Sequence, residues 1–123
     1  MKKILLVIGV AALLLACGQK KQVEVAGVYN GVLPCADCEG IKTMLELQAD
    51  SSYILETQYL GKSEEINNYV GKFTLNEDVL VLDNAKYNGF NTQYLVGDST
   101  LTQLDAEGNV IAGEFAAMYV LRK

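Results

Sequence analysis

The sequence predicts an all-β domain, an antiparallel sandwich or barrel, with closure into a small antiparallel β-barrel favoured. Three observations carry this. From Val28 onward apolar residues recur at every second position, which is the period of a strand. Turn-forming clusters interrupt the pattern at intervals of roughly 8–12 residues. No helical period lasts the run of about ten residues that a helix needs. Closure would also remove the unpaired edges that an extracytoplasmic sheet has reason to avoid.

The chain opens in a different style. Met1-Lys2-Lys3 is a short positive segment, and Ile4 to Ala16 is uncharged and almost wholly apolar. That run falls short of the roughly 20 residues a membrane-spanning helix needs, and it fits the apolar core of a secretory signal, about 7–15 residues. Leu14-Leu15-Ala16-Cys17 then resembles the bacterial lipobox, in which the thiol is acylated and the signal is cut off before it. The expected organisation is a lipoprotein signal peptide over residues 1–16, a lipid-anchored tether over 17–25 and a barrel domain over 26–123. One palmitate-like chain would hold a membrane only marginally, but several on Cys17 act together at about 0.8 kcal/mol per buried CH₂. Gly18 follows the anchor rather than aspartate, which in enteric-type sorting implies the outer membrane of a Gram-negative cell.

The strands follow in order. Val28, Asn30 and Val32 alternate with Tyr29, Gly31 and Leu33 in a first strand. After a cysteine-containing loop, Ile41, Thr43, Leu45 and Leu47 face one way and Lys42, Glu46 and Gln48 the other. Ala49-Asp50-Ser51-Ser52 is a turn, and Tyr53, Leu55, Thr57 and Tyr59 continue the inward set. Gly61 to Asn68 is polar and predicts a loop. Tyr69, Gly71, Phe73 and Leu75 alternate again, and Asn76-Glu77-Asp78 turns the chain into Val79 to Leu82. Asp83 to Asn91 favours a loop or a broken strand. Thr92 to Val96 and Thr100 to Leu104 form another pair, joined at Gly97-Asp98-Ser99. Ala106 to Asn109 is a turn before a short Val110-Ile111 strand. A last strand is expected from Phe115 to Leu121, with Phe115, Ala117, Tyr119 and Leu121 on one face.

Charge limits the partners. The chain has 10 basic and 15 acidic side chains and no histidine; loss of Lys2 and Lys3 with the signal takes the net charge from −5 to −7. Such a surface repels phosphate backbones, so nucleic acid is excluded as a partner. It also rules out a polybasic grip on anionic lipid, leaving the acyl anchor as the membrane contact. The domain of about 100 residues can close one core but is too small for two.

Chemistry concentrates at Leu33-Pro34-Cys35-Ala36-Asp37-Cys38-Glu39-Gly40, which holds the only proline and two of the three cysteines. Three readings stand open. A redox-catalytic pair needs a lowered thiol pKa from a helix N-terminus or nearby cations, whereas here Asp37 and Glu39 flank the thiols and a strand follows. A metal site of two thiolates suits a soft ion, Cu(I) above all, with Met44 or Met118 adding a thioether; a four-ligand zinc site cannot be assembled from three cysteines and no histidine. A structural disulfide, favoured in an oxidising envelope, would stabilise by about 2 kcal/mol and would stiffen the Pro34 turn.

Little else suggests catalysis. Asp37 with Glu39, and Glu64 with Glu65, read as solvated loop charge. Without histidine no Ser–His or Cys–His nucleophile can form. Tyr53, Tyr59, Tyr69 and Tyr119 read as core or barrel lining. The chain is read as non-enzymatic. Two further readings compete for function: a carrier, since a barrel of eight strands can hold one small lipophilic ligand, and a structural lipoprotein that docks another envelope protein.

The run Gly27-Val28-Tyr29-Asn30-Gly31-Val32-Leu33-Pro34-Cys35-Ala36-Asp37-Cys38-Glu39-Gly40-Ile41-Lys42-Thr43-Met44-Leu45-Glu46-Leu47 resembles the N-terminal domain of the NlpE family of copper-resistance lipoproteins. Tyr53, Tyr59-Leu60-Gly61, Leu101 to Asp105, Gly108 to Ile111 and Tyr119 to Arg122 extend the likeness over most of residues 26–123. The resemblance implies a lipocalin-like barrel, an outer-membrane lipoprotein, and roles in copper tolerance and envelope-stress or surface sensing through a sensor kinase of the inner membrane. It places the family's cysteine pair on Cys35 and Cys38 and its lipid anchor on Cys17. Larger members carry a second domain, which this chain does not include.

Overall fold

The computed structural model describes residues 24–83 and 93–123. The expected signal peptide, Cys17, most of the expected tether and the stretch from Asn84 to Asn91 lie outside these residues. Among the described residues eight strands run in chain order: β1 Gly27–Leu33, β2 Gly40–Leu47, β3 Ser52–Leu60, β4 Asn67–Asn76, β5 Val79–Asp83, β6 Gln93–Gly97, β7 Thr100–Gln103 and β8 Val120–Arg122. Each is antiparallel to the next, and β8 returns to β1, closing the barrel.

The alternation in the sequence sets the register. Tyr29 pairs with Leu45, Leu45 with Leu55 and Leu55 with Tyr69, so one inward row crosses four strands. A slip of one residue would turn that row to solvent. Every strand contributes to the core: Tyr29, Leu45, Leu55, Phe73, Leu80, Tyr94, Leu101 and Leu121 are each at most 2% exposed. Tyr29 also places its hydroxyl, which donates to the Val25 carbonyl at 2.8 Å.

Closure depends on a glycine. Between β1 and β8 the ladder has the single pair Asn30–Arg122. Beside it, a Cβ on Gly31 would lie 2.9 Å from both Leu121 Cδ2 and the Val120 carbonyl oxygen. The absent side chain lets the last strand approach the first.

Three boundaries differ from the sequence expectation. The loop after β3 ends at Ile66, because Asn67 and Asn68 already pair with Thr57 and Glu56. The expected Val110-Ile111 strand is one isolated bridge, Leu104–Val110. There Asp105 ties the turn locally: its Oδ1 accepts from the Glu107 and Asn109 amides at 2.9 and 2.8 Å. The expected strand from Phe115 is instead a 3₁₀ turn, η1 Ala116–Tyr119, followed by the three residues of β8. β7 offers only four residues to pair against, and Ala116-Ala117-Met118 lacks the β-branched side chains that favour strands. Its amides turn inward to local carbonyls, Ala116 to Gly113 at 3.2 Å and Met118 to Phe115 at 2.9 Å.

The up-and-down order sorts the connections to two ends. At the entry end lie the β2–β3, β4–β5 and β6–β7 turns, all short, together with Glu24–Ala26 leading into β1. Lys123 closes this end: its amide donates to Ser99 O at 3.0 Å and its Nζ to Glu24 O at 3.2 Å. The longer β1–β2, β3–β4 and β7–β8 connections lie at the far end.

Candidate functional site

The Leu33–Gly40 motif forms the β1–β2 connection at the far end. Leu33 is buried and pairs with Ile41, which seats the base of the loop. Pro34 follows with no amide to donate, so the ladder stops there. On the return side the Glu39 amide donates to Leu60 O at 3.0 Å. Gly40 then starts β2 where a Cβ would fall 2.5 Å from Val32 Cγ1, so any side chain there would have to push the valine methyl aside.

Cys35 and Cys38 are joined in a disulfide, with their Cα atoms 5.4 Å apart. Asp37 Oδ1 lies 3.5 Å from Cys35 Sγ, and the Gly40 carbonyl oxygen 3.3 Å from Cys38 Sγ. With no proton on either sulfur these are contacts; reduction would turn each thiol into a weak donor facing an acceptor. The two sulfurs and an Asp37 oxygen all lie within 4.8 Å of one another.

One partner of this loop was not visible in the sequence. Lys62, in the β3–β4 connection, donates through Nζ to Asp37 Oδ2 at 2.6 Å across exposed surface. That hydrogen bond, and then the opposite charge, holds the Asp37 carboxyl below the usual carboxylate range and pushes the Lys62 ammonium up. Asp37 is therefore not an unopposed negative charge beside the thiols, as composition alone suggests. Lys62 stands 25 residues further along the chain, and only the pairing of β2 with β3 brings it near.

The remaining candidates separate. Met44 lies on the outer wall of β2 opposite Asn30 and Glu56. Four strand residues, about 13 Å, divide it from Gly40, so it is out of ligating range of the cysteine loop. Met118 sits in η1 at the far end and is 49% exposed. Tyr53 is buried in the core, Tyr59 and Tyr69 are half-buried on the same inward set, and Tyr119 belongs to η1 rather than to a strand.

Comparison with known proteins follows the same geometry. The model of the NlpE N-terminal domain family matches residues 29–114. Lipoprotein NlpE of Escherichia coli K12 is 40% identical over 89 residues, which cover 71% of this chain and 37% of that protein. A solved putative lipoprotein from Shewanella oneidensis is 45% identical, with a TM-score of 0.73 over 85% of this chain and 93% of the other. The crystal structure of the Cpx pathway activator NlpE from E. coli aligns at 40% identity with a TM-score of 0.60, over 72% of this chain and 46% of that one. The chain thus spans little more than a third of the length of the curated relative it matches.

Proposed function

Since the chain belongs to the NlpE N-terminal domain family, we propose that it is a non-enzymatic envelope lipoprotein whose Cys35–Cys38 loop serves copper tolerance and envelope-stress or surface sensing. Residues 1–16 are removed as a signal, Cys17 carries the acyl chains, and residues 17–25 tether the barrel of 26–123 to the outer membrane. The solved structure of the E. coli relative is titled a Cpx pathway activator, and we assign the same class of role, input to an envelope stress sensor, to this barrel.

The observation that carries the reading is positional. The chain enters β1 at one end of the barrel, and the disulfide loop crowns the other. An anchor ahead of Glu24 would hold the entry end at the membrane and turn the loop toward the periplasm. Pro34 and Gly40 fix the loop's base, and Asp37 links it through Lys62 to the β3–β4 connection. A change at the sulfurs would therefore reach the β3–β4 connection through Asp37 and Lys62.

Copper enters as a ligand of the reduced state. The disulfide offers no thiolate; a dithiol reductant gives it two electrons and two protons, itself becoming a disulfide, and the two thiols formed lose their protons on binding a soft ion. Cys35 and Cys38 would then hold Cu(I), with an Asp37 oxygen close by. Titrating Cu(I) into reduced protein should show one equivalent bound tightly, and Cys35→Ser/Cys38→Ser should lose it. Equal uptake by both proteins removes copper from the account. The carrier reading gains no support from the packing, because side chains of all eight strands meet inside the barrel.

A further inference from the structure

We propose that the far end is a docking surface for a protein partner whose contact patch is apolar at its centre and basic at its margin. This deepens the sensing role above by naming the surface through which it would be exercised. Three consecutive connections around the rim build it: the β7–β8 segment with η1, the disulfide loop and the β3–β4 loop. η1 packs beside β1, the strand that leads into the disulfide loop, and Lys62 of the β3–β4 loop bonds Asp37 within it.

The apolar residues are placed where burial does not account for them. Phe115 is 54% exposed, Met118 49%, Ile66 54% and Val110 60%, all in far-end connections. The entry-end turns, Ala49-Asp50-Ser51, Glu77-Asp78 and Asp98-Ser99, carry no large apolar residue. Aromatic residues and methionine are the types enriched at protein interfaces and among their energetic anchors. The backbone that carries Phe115 and Met118 is ordered before any partner arrives, because the Met118 amide donates to the Phe115 carbonyl at 2.9 Å at the 3₁₀ turn. Pre-ordering of this kind lowers the entropy lost on association.

Charge selects the class of occupant. Around these anchors stand the exposed carboxylates of Asp37, Glu39, Glu64, Glu65, Glu107 and Glu114. Lys62 is the one cation among the described residues of the three connections, and it is engaged by Asp37. A second copy of this chain would bring the same negative rim against itself, and an anionic lipid surface would be repelled likewise. A basic protein surface complements it.

The test is site-specific photocrosslinking in living cells that express the full chain. A photoreactive phenylalanine analogue replaces Phe115, Met118 or Ile66 in turn, and Val70 on the barrel wall, itself 59% exposed, serves as the control. The expected result is one common protein adduct from the three far-end positions, crosslinked through a basic patch as mapped by mass spectrometry, and none from Val70. Glu64→Lys/Glu65→Lys/Glu114→Lys, confirmed as folded by an unchanged melting curve, should reduce its yield at least tenfold. No adduct, an adduct with this chain itself or with lipid, an equal adduct at Val70, or a yield indifferent to charge reversal overturns the proposal. The readout is independent of signalling. A far-end adduct in cells whose stress reporter stays silent retires the sensing role and leaves the surface standing.

Discussion

Tyr94 shows how strongly single residues are committed to the core. Burial pushes its phenol well above the ordinary value, with Tyr53 nearby adding to the shift. Tyr29 moves the same way through burial. Since both pKa values are raised on folding, the folded state keeps protons that the unfolded chain loses near pH 10. Their contribution is complete below about pH 10 and is lost as pH rises through the folded-state values. An absorbance titration at alkaline pH should therefore show Tyr94 ionising only together with loss of the native circular dichroism, and Tyr29 later than a free phenol. Ionisation of all seven tyrosines near pH 10 in an intact barrel would contradict this. The inward face of Tyr53 was legible from its place in the alternating set with Leu55 and Thr57; Tyr29 and Tyr94, each with an apolar neighbour in Val28 or Leu95, did not stand out in the same way. The Lys62–Asp37 pair was not legible, because no local pattern joins two exposed charges on different loops.

At the scale of elements, the long hairpins were legible and the short closure was not. β2 and β3 carry Ile41, Thr43, Leu45, Leu47 and then Tyr53, Leu55, Thr57, Tyr59 on one face, and the sheet pairs them in that register. The run after Gly113 carried the same alternation, yet it mostly forms η1, since its partner β7 is too short to receive it. Periodicity reports what a segment could bury, and the neighbour's length decides how much of it pairs. Turn chemistry was also partly hidden, for Ser51, Glu77 and Ser99 take positive φ without being glycine. Two variants probe the elements. Gly31→Ala should destabilise the barrel by about 1–3 kcal/mol in denaturant titration, because the new methyl meets the Val120 carbonyl and the strand must shift; wild-type stability would show that β8 does not pack there. Cys35→Ser/Cys38→Ser should cost no more than about 2 kcal/mol and leave the β-sheet spectrum unchanged, since the core lies on other residues. Unfolding of this variant would mean that the loop holds the barrel together rather than being presented by it.

For the whole molecule, the account joins an anchor expected from Leu14-Leu15-Ala16-Cys17 to a barrel with two unlike ends. The short turns stand at the end where the chain enters, and the disulfide stands at the other, among longer connections. Fold class and the cysteine motif could be read from residue order alone. The division into ends could not, because it follows from the parity of eight strands around a closed sheet. The acidic balance acts at this scale too, since a net negative surface is repelled by anionic headgroups. The central claim is a lipid-held barrel that displays an oxidised cysteine pair, and the intact mass of protein extracted from membranes without reductant tests it most directly. The account predicts a chain that starts at Cys17, carries acyl mass there, and weighs two hydrogens less than its dithiol form. A chain that keeps residues 1–16, lacks acyl mass, or has Cys35 and Cys38 both free would contradict it.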